Sequence, residues 1–344
     1  MAFPPVPFQE WFLRQTSTGN AALNAYVARV KADGGVVDAI GCVPLAVWDW
    51  AAPSFVGLLD LYPNAAAAYS LRKLRAAYSG SAVRVRKEVS SVSSETDIGF
   101  AADGSLDITS LLAFASDADS GDVFVVTWYD QSLSNDATQS TAANQPKIVS
   151  GGSLVTEGSK PAIDFDGVDD ELVIAASQSK FNQLHDGSNS TIIAVSTFSA
   201  NARILGNDAS SSSNIGFDLG YTSDIAHFIR EGSGAANRPV VNIGGGVYST
   251  NNQYLLFIDV DADNATAANR SSIYIDSGTP IKNNTSTASP SASDATFDLS
   301  IGSAGDNILN NNGKTQEIIL YPSDQSTNRT AIETNINTFY SIYP

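Results

Sequence analysis

The chain has little of what most enzyme chemistry draws on. Cys42 is the single cysteine among 344 residues, so neither an intrachain disulfide nor a thiolate zinc cluster can form. Two histidines, His185 and His227, are too few for a multi-histidine metal centre and leave scant material for a Ser-His-Asp triad. Lys and Arg number 19 against 36 Asp and Glu, a net charge of −17, which argues against binding nucleic acid by phosphate neutralisation. No apolar run reaches the roughly 18 residues of a membrane-spanning helix. Charged residues make up 16%, below the roughly 25% of an average soluble protein. Any catalysis must therefore rest on carboxylates. The opening residues, MAFPPVPFQEWFLRQ, lack the basic start and long apolar stretch of a secretory signal. The expectation is a protein made in a cytoplasm and used as made.

What is present changes texture near Gly80. Upstream, Pro4, Pro5 and Pro7 stiffen an extended start, followed by the aromatic cluster of Phe8, Trp11 and Phe12. Ala22, Leu23, Tyr26, Val27 and Val30 recur at helical spacing over residues 20–31. Asn64 is placed to cap a second helix running through the Ala65–Ala68 run to Leu71, Leu74 and Arg75, ended by Gly80. Downstream, short segments rich in Val, Ile, Phe and Tyr alternate with Ser/Asn/Asp/Gly turns. Strands are expected at 82–87, 122–129, 147–150, 162–165, 171–174, 190–198, 203–206, 214–219, 226–230, 240–243, 254–260, 271–276, 295–301 and 315–321, and helices at 106–116 and 323–341. Regular short strands over about 250 residues predict one mainly β domain, a sandwich or jelly roll. The organisation expected is an arm and anchoring region with a helix over 1–60 and a sandwich over 61–344.

Several constellations carry chemistry, each with a plainer reading beside it. The stretch Val126–Ser132 reads as a strand ending in Trp128 and Tyr129, then a turn in which Asp130 can accept backbone N–H groups. Trp128, Tyr129 and Asp130 fit a sugar platform, and Trp128 equally fits the core beside a structural turn. In Asp164-Phe-Asp-Gly-Val-Asp-Asp-Glu171, Asp164, Asp166, Asp169 and Asp170 cluster around Gly167, with Asp164, Asp166 and Asp169 as the metal-ligand candidates. They could ligate Ca²⁺ or simply close a hairpin, and no other cofactor is implied. Arg72, Lys73, Arg75, Arg84, Arg86 and Lys87 concentrate positive charge. That group suits an anion or sugar carboxylate, or pairing with Glu88, Glu95 and Asp97. Gly244–Gly246 is a loop without a following helix and so no phosphate cradle.

The run AAAAYSLRKLRAAYSGSAVRVRK, then DIGF, then WYDQS, NDATQ and ANQPKIV, resembles the catalytic-type domain of α-L-arabinofuranosidase B. The resemblance covers roughly residues 60–344. It implies a concanavalin A-like jelly-roll β-sandwich of the laminin-G kind, also carried by phage virion proteins on a short distinct N-terminus. For the enzymes it implies a glycosidase with two carboxylates. Asp306, in Ile301-Gly-Ser-Ala-Gly-Asp-Asn307, matches the position of the acid, and Glu231 is the candidate nucleophile by chain order. The family's adjacent cysteine pair has no counterpart in Ala202–Asn207.

That departure, with the absent signal and the distinct arm, sets the expectation of a non-enzymatic phage virion protein: a capsid decoration, head-fibre or tail-adhesin subunit located on the virion. Phe8, Trp11 and Phe12 would dock on other virion proteins, and Trp128, Tyr129, Asp130 and Asp306 would meet a host-surface glycan. The particle-bound form is expected to be a homo-oligomer, a trimer, with no nucleic acid and no membrane span. The alternative is a retaining glycosidase of the arabinofuranosidase type.

Overall fold

Ser190–Thr197 is buried along its whole length, and that burial organises the molecule. Successive side chains on a strand point to opposite faces. Ile192 and Ala194 therefore enter the main core while Ile193 and Val195 enter a second one. The strand pairs antiparallel with Gln253–Val260 on one side and Asn312–Tyr321 on the other, and Gln253–Val260 pairs onward with Ser271–Ile275. Two strands share the far edge of Asn312–Tyr321: Ala67–Ser70 and Ile163–Asp166. The C-terminal helix Arg329–Tyr340 lays Ile332, Ile336 and Tyr340 over this sheet, together with Leu58 and Leu59, closing the second core.

The structure, a computed structural model, describes residues 55–211, 213–221, 224–232, 240–242, 248–282 and 290–344. The helix expected at 20–31, Cys42, the docking residues Phe8, Trp11 and Phe12, and Gly244–Gly246 lie outside them.

A second layer runs through Val92–Ile98, Val83–Val89, Val123–Trp128, Ala137–Thr138, Leu172–Ile174, Leu299–Ile301, Arg203–Gly206, Ile215–Tyr221, Ile225–Glu231 and Val240–Asn242, each antiparallel to the next. Lys147–Ser150 pairs with both Val123–Trp128 and Ile163–Asp166 and so joins the layers. Trp128, Phe165, Phe217, Ile258 and Leu320 fill the space between. The mainly β, sandwich-type expectation is met.

The helix expected from Asn64 is a correction. Asn64 takes a left-handed backbone (φ 72°), and Ala67–Ser70 is a fully buried strand. The alanine run favours helix by only a few tenths of a kcal/mol per residue. Small side chains also let a strand be covered on both faces, and its ladder to Glu317–Leu320 satisfies the backbone. A second difference is Val92–Ile98, a polar, mostly exposed strand that hydropathy did not reveal. It is made by a tight hairpin with Ser90 and Ser91 both at positive φ (52° and 62°), the conformation of a type I′ turn. The helix expected at 106–116 forms as Ile108–Ala115, capped by the Asp107 side chain on Ser110 N–H. The basic group is largely internal: Arg72 pairs with Glu317 at 2.7 Å, Arg84 with Glu95 at 2.7 Å and Asp97 at 3.3 Å, and Arg86 with Glu88 at 2.8 Å.

Candidate active site

The Trp128–Asp130 turn is structural. Trp128 is fully buried and tilts against Tyr69 with centroids 5.8 Å apart, so it offers no face to a sugar. This corrects the platform reading at Trp128. The Asp130 carboxylate accepts the backbone N–H groups of Ala68 and Ser132 at 2.8 Å and of Leu133 and Asn135 at 3.1 Å, plus the Ser132 hydroxyl at 2.7 Å. Its lone pairs are used up in fastening the turn to Ala67–Ser70. Tyr129 is half-buried and donates to Asp97 at 2.9 Å. His185 and His227 are both buried, against the Ser293 carbonyl at 3.1 Å and the Ser271 hydroxyl at 2.8 Å. Burial pulls the His227 imidazole down to about 4.

The turn after Leu299–Ile301 is of another kind. Gly302 (φ 90°) lies against the Phe165 ring, where a Cβ would come within 2.4 Å. Asp306, Asn307 and Leu309 all take left-handed backbone, at φ 54°, 52° and 53°. That region is uncommon for any residue but glycine, and for Leu it is an outlier, so the turn stores strain that its surroundings must hold. Those surroundings are specific. Asp208 N–H and Ala209 N–H both donate to the Ala304 carbonyl, at 3.2 and 2.8 Å, and Arg203 N–H donates to Leu309 at 2.7 Å. On the other side, the Ser303 hydroxyl donates to Glu171 Oε2 at 2.8 Å.

This turn therefore carries Asp306 and holds Glu171 through Ser303, two carboxyls with unlike environments. Glu171 is 8% exposed, and burial raises its pKa above the ordinary value of 4.5. The charge of Asp306 raises it further, while hydrogen bonds from Ser303, Ser300 and the Asn307 backbone work against the shift. Asp306 is exposed. Exposed Val168, Ile308 and Leu309 lie in the two loops that carry the pair and give it an apolar rim. Separations of over a hundred residues hide this pairing in the sequence. Strand pairing of Leu172–Ile174 with Leu299–Ile301 creates it.

Beneath the turn lies a buried charge network that sequence reasoning missed. Arg203 Nε meets Asp218 Oδ1 at 2.5 Å, Arg230 Nη2 meets Asp218 Oδ2 at 2.8 Å, and Arg230 Nε pairs with Asp208. Burial pushes the Asp208 carboxyl well up, and Asp218 adds to the push against the opposing effect of Arg230. The network fixes Asp208, whose backbone holds the turn. Glu231 sits half-buried at the end of Ile225–Glu231, opposite Ile215. The charge of Asp306 acts on Glu171.

The acidic loop lies beside the pair. Asp166 Oδ1 accepts Val168 N–H at 2.8 Å, which is the hairpin reading. Asp166, Asp169 and Asp170 place one carboxylate oxygen each within 4.8 Å of one another, and Asp164 is not part of that set. Burial, helped by Asp166 and Asp169, raises Asp170 to about 7.

No protein-family model matches the chain, and no curated protein sequence matches it. Solved structures do. One is an arabinofuranosidase complexed with arabinofuranosyl-α-1,2-xylobiose, 18% identical, with a TM-score of 0.53 over 79% of this chain and 62% of that one. Another is a GH54 α-L-arabinofuranosidase soaked with a cyclic sulfate inhibitor, 16% identical, with a TM-score of 0.54 over 81% of this chain and 64% of that one. This chain thus spans under two thirds of the length of the arabinofuranosidases it matches. At such identity the likeness is one of fold. It corrects the expectation of a non-enzymatic virion subunit: the proteins that share this sandwich over most of its length are glycosidases, and they lend the phage setting no support.

Proposed function

We propose that the chain is a glycoside hydrolase acting on α-L-arabinofuranosides, with Glu171 and Asp306 as its working carboxyl pair. The observation that carries this reading is the turn itself: it holds the buried Glu171 through the Ser303 hydroxyl and presents Asp306 to solvent on left-handed backbone, while burial raises the Glu171 pKa. The shared fold with proteins titled arabinofuranosidases supports the choice of sugar.

Glycosidic cleavage needs a proton for the departing oxygen and a carboxylate beside the developing positive charge at the anomeric carbon. Glu171 keeps its proton to higher pH than an ordinary Glu, which is what a general acid requires. As the C–O bond breaks, that proton passes to the leaving oxygen, and the attacking water restores it. Asp306, at the solvent face, is the second carboxylate, in place of the acid role that the family resemblance implies for it. Ser303 is a positioning residue, since its hydroxyl orients Glu171. The Val168–Ile308–Leu309 rim suits the apolar face of a sugar.

The test is release of an aryl aglycone from a panel of α-L-arabinofuranosides and matched pyranosides. Glu171→Gln and Asp306→Asn are each expected to lower kcat/KM on the furanosides by about 10²–10⁴-fold. The rate on an unactivated leaving group is expected to fall as pH rises through the raised pKa of Glu171. Hydrolysis equal in the wild type and the double variant would overturn the reading.

A further inference from the structure

The loops Lys73–Ser81 and Gly99–Gly104 border a cleft of about 390 Å³ that shares no lining residue with the Glu171–Asp306 site. Its size lies within the range of small-molecule sites. Phe55, Tyr78 and Phe100 give it aromatic walls, with Tyr78 and Phe100 edge to face at 6.2 Å. The Lys73 ammonium stands 5.8 Å from the centroid of the Phe55 ring. Two glycines keep the space open. A Cβ at Gly80 would come within 2.5 Å of the Tyr78 hydroxyl, and one at Gly104 within 2.3 Å of the Phe55 ring.

Lys73 departs from the pattern of its neighbours. Arg72, Arg84, Arg86 and Lys87 each pair with a carboxylate, and Arg75 donates to the Gln131 and Ser132 carbonyls at 2.9 and 2.8 Å. The half-exposed Lys73 makes no ion pair among the described residues, in a chain of net charge −17. Aromatic walls suit the apolar face of a sugar ring, and an unpaired ammonium suits a carboxylate. Ser79 and Ser81 also line the cleft and bring hydroxyls to it. We propose that this cleft binds a carboxylate-bearing saccharide, its ring against Tyr78 and Phe100 and its carboxylate on Lys73. The proposal is independent of the hydrolase reading, because it concerns binding at other residues.

The test is titration of the full chain with digalacturonic acid and with its methyl ester, followed by calorimetry and by NMR shifts of the cleft residues. The acid is expected to bind about three- to fivefold tighter than the ester, the size of an exposed ion pair, and the margin should shrink with added salt. Lys73→Met should erase that margin without altering ester binding, and Lys73→Arg should restore it. Phe100→Ala should weaken both ligands. Equal affinity of acid and ester, an unchanged margin in folded Lys73→Met, or no binding of either ligand at millimolar concentration would each overturn the proposal.

Discussion

Two aspartate turns at the ends of strands show how differently one residue type can be used. Asp130 is buried, and five donors close on its carboxylate. Asp306 is exposed on a left-handed backbone, and its surroundings grip the main chain of the turn while the side chain faces solvent. In the first turn the carboxylate holds the fold. In the second the fold holds the carboxylate. A saturated group has no lone pair left for a substrate, whereas a strained, solvent-facing group beside a buried carboxyl is equipped for chemistry.

Substitutions can break this contrast. The largest effect is expected at Asp130→Ala. It strips the acceptor from four backbone N–H groups and a hydroxyl, and each buried donor left unpaired costs about 1–3 kcal/mol. Urea unfolding should show a loss of more than about 4 kcal/mol, or no folded protein at all. A loss below 1 kcal/mol would put Asp130 in the same class as Asp306.

Asp170, beside the Asp306 turn, should give an intermediate effect that depends on pH. Its carboxyl ionises near its ordinary value of 3.8 in the unfolded chain and near about 7 in the folded one. Between those values the folded state holds the extra proton, so this group's contribution to stability falls as pH rises across the window. Asp170→Asn keeps an oxygen for the Asp166 N–H and does not titrate. Its stability relative to wild type should therefore climb from pH 3.8 to about 7, read from urea titrations at several pH values. A flat difference would place Asp170 in water. The smallest effect is a gain. Asp306→Gly relieves the left-handed backbone and should add up to about 1 kcal/mol, while hydrolysis is lost.

Much of the architecture was legible in the sequence. Short segments rich in Val, Ile, Phe and Tyr between turn residues located most strands, and the i, i+4, i+8 row of Ile332, Ile336 and Tyr340 located the last helix. Ala67–Ser70 was not legible, because alanine propensity is weak and only the partner strand Glu317–Leu320 decides it. Of the proposed pair, the family resemblance marked Asp306, while Glu171 was read as the end of an acidic hairpin. Its role depends on burial and on Ser303, which the pairing of distant strands supplies. The Arg203–Asp218–Arg230–Asp208 network was hidden for the same reason. Trp128 stood out as an aromatic at a strand end before a polar turn, a position that does not separate a core ring from a binding platform.

The most direct measurement compares Asp306→Asn with wild type in two assays on the same preparation: unfolding free energy and hydrolysis of an aryl α-L-arabinofuranoside. The expected result is a stability change within about 0.5 kcal/mol and a fall in kcat/KM of at least about a hundredfold. Hydrolysis by folded Asp306→Asn at the wild-type rate would contradict the assignment of this turn as the active centre.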